Sequence, residues 1–402
     1  MSAGWDDGQL RSPASGAPLA WDTPHSMTDG AIRYPVIDGI PYLRAGHEAS
    51  RVAALHHLDG KDRDRALCVL LAERDDWAPG EGPRDSDLLA AVRAPDLTLG
   101  AAMTLFSYGR VADYFAYRWS DPTYLSGLQL LQLATLGEGL PLLEIACGVG
   151  HYLREASRRG IEAIGVDVVF SKLWLARRFV AEEARLVCAD VAAGLPLPDQ
   201  LAGTVFCHDA FYFLEDKQRV VEEMSRVSRG SVVIGHAHNR EADNLSPGEP
   251  WSVAEYAAVL PRARLFDDQE LTLAFLEARA PVSRTAEQLR CCAAVSMIQR
   301  DMLDVAVTPA ARVDFASPQP GERWQLNPLL DDGSGVALAT PRWPSPRYAE
   351  EYGPTSGYLH LREGDYPQAL QELQAFRERA PLSPRLADLV RRRIFLQLPP
   401  QW

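Results

Sequence analysis

Between Leu140 and about Arg240, short apolar runs alternate with segments whose apolar residues fall three and four positions apart. PLLEIACG precedes a helical pattern from His151 to Arg159, and IEAIGVD precedes one from Ser171 to Glu183. ARLVCAD leads into a loop, GTVFCHDA precedes a helical pattern from Asp216 to Ser228, and SVVIGHAH follows. Short strands spaced by amphipathic helices imply βαβ units and a parallel sheet covered on both faces. The pattern predicts an α/β domain over residues 136–305. Ser252–Leu260 and Asp267–Arg279 extend it as helices, and Gln288–Ile298 reads as a strand closing the sheet.

The flanks follow other periods. Residues 1–45 alternate turn formers with short β-prone pieces, as in LRSPASG and YPVIDGIPYL, and predict a small β-rich module. Residues 46–135 read as a helical lid or linker region. Apolar positions keep helical spacing at Ala53–Leu58 and Ala66–Leu71, then over Met103–Tyr117 and Tyr124–Leu136. The loop Ala78–Pro83 separates two of these helices. Residues 306–402 form a C-terminal extension with many prolines up to about 350 and helical spacing from about Tyr348 to Leu398. Within it, the stretch from Gly357 to Leu370 faintly resembles one tetratricopeptide unit, which cannot bury its own face alone.

Length and composition narrow the partners. The chain has 402 residues, 47% of them hydrophobic and 24% charged, as in a globular protein. No apolar stretch approaches the roughly 18 residues of a membrane span, and the start lacks the basic and apolar regions of a secretory signal. Six cysteines without CxxC spacing read as free thiols, which fits a cytoplasmic protein. A net charge of −13 repels a phosphate backbone, so nucleic acid is not the expected partner. Arg391–Arg393 reads as a solvated helix face, and Glu73–Trp77 as a solvated helix end.

Candidate chemistry centres on Glu144-Ile-Ala-Cys-Gly-Val-Gly150, where an apolar strand ends in a glycine-rich turn and a helix begins. Gly148 and Gly150 let backbone approach a ligand without a Cβ in the way. No Gly-Lys-Ser/Thr follows, so the turn is not a P-loop, and Leu153 takes the place of the third glycine of a dinucleotide fingerprint. Asp167 ends the second strand 23 residues after Glu144, where a carboxylate can accept both ribose hydroxyls. Asp190 ends the third strand 23 residues later, within reach of an adenine amino group.

These residues resemble the class I S-adenosylmethionine-dependent methyltransferases. The family's first motif, (E/D)xGxGxG, appears as Glu144 to Gly150 with Ala146 at the first glycine. Its second- and third-strand acids correspond to Asp167 and Asp190, and its fourth-strand motif to Phe206–Leu214. The resemblance implies a Rossmann-like class I methyltransferase sheet with S-adenosyl-L-methionine as cofactor. It implies cofactor contacts from Glu144, Cys147, Gly148, Gly150, Asp167, Val168, Asp190, Val191 and His208. Tyr108, Tyr117 and Arg118 are candidate anchors for the cofactor's carboxylate. YPVIDGIPYL resembles the end of the zinc-ribbon-like domain that activates tRNA and protein methyltransferases. Ser12 and Ser15 stand where that family has cysteines, so the resemblance implies a module that has lost its metal.

Methyl transfer is an in-line displacement in which an enzyme chiefly positions the reactants and sometimes supplies a base. His208, Asp209 and His236 follow strands four and five and are the candidate catalytic residues. His208 or His236 would act as base, and Asp209 would orient the acceptor. No metal is expected; the alternative is that Asp209, His236 and His238 hold one, since HxH on a strand puts both rings on one face. Asn239–Trp251 is a candidate substrate loop. The expected function is methyl transfer to a small-molecule acceptor such as a specialised metabolite, sugar or modified amino acid. The alternatives are a methyltransferase of RNA or protein and a non-catalytic scaffold of the same fold. No Asn/Asp-Pro-Pro-Tyr/Phe motif follows the fourth strand. Helices at both ends are candidate contacts of a homodimer.

Overall fold

The computed structural model describes residues 4–74, 81–134, 139–243, 247–300, 313–315, 324–334, 337–362, 371 and 382–402. Its centre is a seven-stranded sheet. The strands are β5 (Leu142–Ile145), β6 (Ala163–Asp167), β7 (Arg185–Cys188), β8 (Ala202–His208), β9 (Ser228–His238), β10 (Arg264–Asp267) and β11 (Ala294–Arg300). They lie in the order β10-β11-β9-β8-β5-β6-β7. The five from β9 to β7 are parallel, and β11 runs antiparallel between β9 and β10. All seven residues of β8 are buried, as expected for a central strand covered on both faces.

Strand β5 pairs with β6 on one side and β8 on the other. The chain order reverses there, which opens a crevice at the strands' carboxyl ends. Two layers of apolar side chains cover the sheet. One gathers α6 (Pro122–Leu133), α7 (His151–Ser157), α8 (Phe170–Leu175), α11 (Asp268–Leu276) and the helices before them. The other contains α9 (Lys217–Val227) and α10 (Val253–Val259). Val220, Val221, Met224 and Val227 form the buried stripe of α9, and Asp216 caps it by accepting the Arg219 amide. Ser252 and Glu255 cap α10 reciprocally.

The N-terminal residues form a four-stranded antiparallel sheet of β1 (Ala20–Thr23), β2 (Ser26–Thr28), β3 (Arg33–Ile37) and β4 (Ile40–Pro41). Tyr42 bridges Cys188, and the Leu43 amide donates to the Cys188 carbonyl at 2.7 Å. The small sheet is thereby seated on the β7 edge. Ser12 bonds the Tyr34 hydroxyl at 3.0 Å, and Ser15 donates to Asp29 at 2.7 Å. Hydroxyl hydrogen bonds therefore stand at the positions where the resembling family has cysteines.

Several boundaries move. The expected helix over Met103–Tyr117 is two, α4 (Leu99–Leu105) and α5 (Val111–Tyr117). Ser107 and Gly109 adopt left-handed backbone between them, with φ of 58° and 55°. The helix from Ser171 passes into a π-helical turn at Ala176–Val180. The strand expected from Gln288 begins at Ala294. Among the described residues of the tail are α12 (Pro346–Tyr352) and the helix Pro384–Arg391, followed by Phe395–Leu396, which pairs with Gln325–Leu326. Residues 363–370 of the tetratricopeptide-like stretch, 75–80 of the predicted loop and carboxylate cluster, 135–136 of the predicted helix and 244–246 of the candidate substrate loop lie outside the described residues. So do residues 301–312, 316–323 and 335–336 of the proline-rich region. No helix among the described residues is long and apolar enough to cross a membrane.

Candidate active site

A cavity of about 470 Å³ lies at the carboxyl ends of β5, β6, β7 and β8. The β5–α7 turn forms its floor. Ala146 and Gly148 adopt φ of 52° and 55° there, which reverses the chain sharply enough to point backbone into the cavity. Asp167 holds the turn in place. Its Oδ2 accepts the Gly148 amide and its Oδ1 the Val169 amide, both at 2.9 Å. Each oxygen keeps a lone pair for a ligand, the arrangement a vicinal diol needs.

Glu144 faces the same space. It is buried, and its Oε2 has no hydrogen-bond partner among the described residues. Burial raises its pKa well above the usual carboxylate range. A buried carboxyl with one unpartnered oxygen on a cavity wall fits a ligand that brings its own cation. Val168, Asp190 and Val191 line the wall nearest β7, where Asp190 accepts the Ala192 amide at 2.9 Å.

The opposite end is polar and aromatic. Arg118 donates to Asp209 Oδ2 at 2.9 Å and to His208 Nδ1 at 3.2 Å, and it stacks on the Tyr114 ring at 4.5 Å. Tyr114 also donates to Asp209 Oδ2 at 2.7 Å, and Tyr212 to Oδ1 at 2.8 Å. Burial alone would raise the Asp209 pKa, but His236 and Arg118 outweigh it, and the group sits below its ordinary value. Helix α12 of the C-terminal extension completes this end with Arg347, Tyr348, Glu351 and Tyr352.

Eleven of the candidate residues line the cavity: Tyr108, Arg118, Glu144, Cys147, Gly148, Asp167, Val168, Asp190, Val191, His208 and Asp209. Tyr117, Gly150 and His236 do not. Tyr117 lies against Tyr348 and Trp402, because one turn of α5 presents Tyr114 and Arg118 to the cavity and carries Tyr117 past it. Gly150 is a packing glycine: a Cβ there would stand 3.0 Å from that of Ala181. Neither histidine is placed as a base. His208 is fully buried, its pKa is driven down to about 3, and its Nδ1 already faces Arg118 and Tyr152. His236 is disfavoured as a cation by burial, but Asp268 and Asp209 lift its pKa to about 9, so it holds its proton at neutral pH.

Sequence reading did not find Tyr114, Tyr152, Asp268, Glu351 or Tyr352. Asp268 reaches His236 from the start of α11, 32 residues on, and no local signal marks that contact. The unusual density of aromatics over Tyr108–Trp119 was the available sign for Tyr114.

Residues 143–234 match a protein family described as methyltransferase domain. A curated relative, the malonyl-[acyl-carrier protein] O-methyltransferase of Pectobacterium atrosepticum, is 28% identical over 145 residues. That alignment takes in 36% of this chain and 56% of the relative, so the match spans little more than half of that protein. Among solved structures, the chain is similar to an S-adenosylmethionine-dependent methyltransferase from Aquifex aeolicus, with 18% identity, 47% of this chain, 97% of that one and a TM-score of 0.34. Another from Mesorhizobium loti shows 17% identity over 45% of this chain and 98% of that one, with a TM-score of 0.34.

Proposed function

We propose that this protein, whose residues 143–234 match a methyltransferase domain, transfers a methyl group from S-adenosylmethionine to a small-molecule acceptor. The observation that carries the reading is the pairing of Asp167 with the Gly148 turn beside the unpartnered Oε2 of Glu144. A diol acceptor, exposed turn backbone and a buried carboxyl suit a cofactor with a ribose, an ammonium group and no phosphate.

When bound, S-adenosylmethionine supplies an electrophilic methyl carbon on a sulfonium. Asp167 would take the ribose hydroxyls, Asp190 the adenine edge between Val168 and Val191, and Glu144 the ammonium group. Arg118 is committed to Asp209, so the two form a neutral pair that shapes the acceptor end. Tyr114 and Tyr212 share that carboxylate and hold their rings against the cavity. The protein's part is then mainly alignment, with water kept out by the aromatic wall. A small acceptor is supported by the cavity volume and by α12, which supplies four of the lining residues. It is supported also by the net charge of −13.

The test is calorimetric titration with S-adenosylmethionine and S-adenosylhomocysteine, beside Asp167→Ala, followed by transfer of labelled methyl to a panel of small acceptors. Saturable binding that the variant loses, with label in a small product, is the expected result. Absence of binding by the wild-type protein would overturn the reading.

A further inference from the structure

Behind the acceptor end of the cavity, three potential ligands converge from two adjacent strands. Asp209 follows β8, and His236 and His238 lie on β9. One donor atom from each lies within 4.8 Å of the others. The His236 and His238 rings are 4.9 Å apart, and His236 Nε2 stands 3.9 Å from Asp209 Oδ1. We propose that Asp209, His236 and His238 form a binding site for one divalent first-row transition ion, such as Zn²⁺ or Mn²⁺.

Four features support this. First, the far side of His236 is pinned: its Nδ1 meets Asp268 Oδ2 at 2.7 Å, and the other Asp268 oxygen accepts from Ser296 at 2.8 Å. A carboxylate on one ring nitrogen fixes the ring and turns the other nitrogen toward a metal, as at most histidine metal sites; an ion bound there displaces the Nε2 proton, which is released to solvent. Second, Asp209 and His236 both adopt left-handed backbone, with φ of 54° and 47°. Such conformations are strained for residues other than glycine and persist where the surrounding structure holds them, often where a side chain is aimed. Here they turn two side chains toward one point, and the Asp209 amide ties the strands by donating to the Gly235 carbonyl at 3.0 Å. Third, His238 presents its ring to the same point while packing at 4.4 Å against Tyr212, the residue that donates to Asp209 Oδ1. Fourth, two imidazoles and one carboxylate suit a borderline transition ion better than Mg²⁺ or Ca²⁺, which prefer all-oxygen shells.

Of the three, Asp209 alone lines the cavity, so the ion would sit in its wall beside the acceptor. The inference concerns ion binding and stands whether or not methyl transfer is the activity.

The full-length protein, stripped with a chelator, is dialysed to equilibrium against ZnCl₂ or MnCl₂, and bound metal is counted by elemental analysis. One ion per chain is expected at roughly micromolar free metal. His236→Ala and His238→Ala should each weaken binding at least about 100-fold, and Asp268→Asn about 10-fold. His238→Gln, which keeps size and polarity, serves if the alanine variant does not fold. S-adenosylhomocysteine binding is measured in parallel, and Asp167→Ala should lose it while keeping the ion. Substoichiometric metal in the wild-type protein, or equal metal in the wild-type protein and both histidine variants, would overturn the site.

Discussion

Asp167 Oδ2 accepts the amide hydrogen of Gly148 at 2.9 Å, so the end of the second parallel strand holds the turn that ends the first. One carboxylate thereby sets the backbone of the cavity floor while keeping lone pairs for a ligand. Replacing it with the isosteric amide separates these roles. Asp167→Asn keeps one oxygen acceptor and loses the second along with the charge. A lost charged hydrogen bond is worth about 1.5–3 kcal/mol, so S-adenosylhomocysteine affinity should fall about 10- to 100-fold by calorimetry. Unchanged affinity would remove Asp167 from the cofactor site.

Ala146 occupies left-handed backbone that glycine adopts freely. The Cβ clash costs about 1–2 kcal/mol, partly offset by the greater freedom of glycine in the unfolded chain. Ala146→Gly should therefore stabilise the protein by about 0.5–1 kcal/mol in denaturant unfolding, with cofactor binding retained. A lower midpoint would show that the alanine methyl packs favourably.

Two helical glycines should respond in opposite directions to alanine. A Cβ at Gly127 in α6 would stand 2.2 Å from the Tyr152 hydroxyl, whereas one at Gly100 in α4 meets nothing within 4 Å. Gly127→Ala should cost about 1–3 kcal/mol through overpacking and displace Tyr152 from His208. Gly100→Ala should gain up to about 1 kcal/mol from helix propensity. Thermal melts of the pair, read side by side, check the packing of α6 against α7.

His151 is fully buried, with Nε2 directed at the Phe115 carbonyl at 2.9 Å. Burial, reinforced by Arg118, lowers its pKa to about 3, against about 6.5 in the unfolded chain. Below pH 6.5 the unfolded state binds a proton that the folded state refuses, so stability falls as pH drops from 6.5 toward 3. The slope is up to about 1.4 kcal/mol per pH unit for this group. Between pH 7 and pH 5, wild type should lose about 2 kcal/mol more than His151→Gln, which cannot titrate. Parallel losses in the two proteins would place the acid sensitivity elsewhere.

The strands and their order of chemistry were readable because each signal is local. LLEI, AIGVD and RLVC are apolar runs that a doubly covered sheet demands, and Glu144, Asp167 and Asp190 sit within two residues of their ends by simple counting. The break at Ser107 and Gly109 was hidden because the apolar spacing of Met103–Tyr117 continues through it. The place of Tyr117 was hidden too. A shift of one residue along α5 decides between the cavity and the packed interface with Trp402, and a helix boundary is not read that finely.

By itself the sequence determined the α/β class, the parallel strands, the glycine turn and the acids that follow each strand. All of these rest on hydrophobic period and on residues close together in the chain. Only the tertiary structure decided which polar groups were already spoken for. Arg118 meets Asp209 across 91 residues, Asp268 meets His236 across 32, and Tyr348 donates to Asp121 across 227. A side chain's protonation and freedom to act depend on such partners and on burial. Neither has a period that a single chain can display, so His208 and His236 looked like bases in the sequence and are held otherwise in the fold.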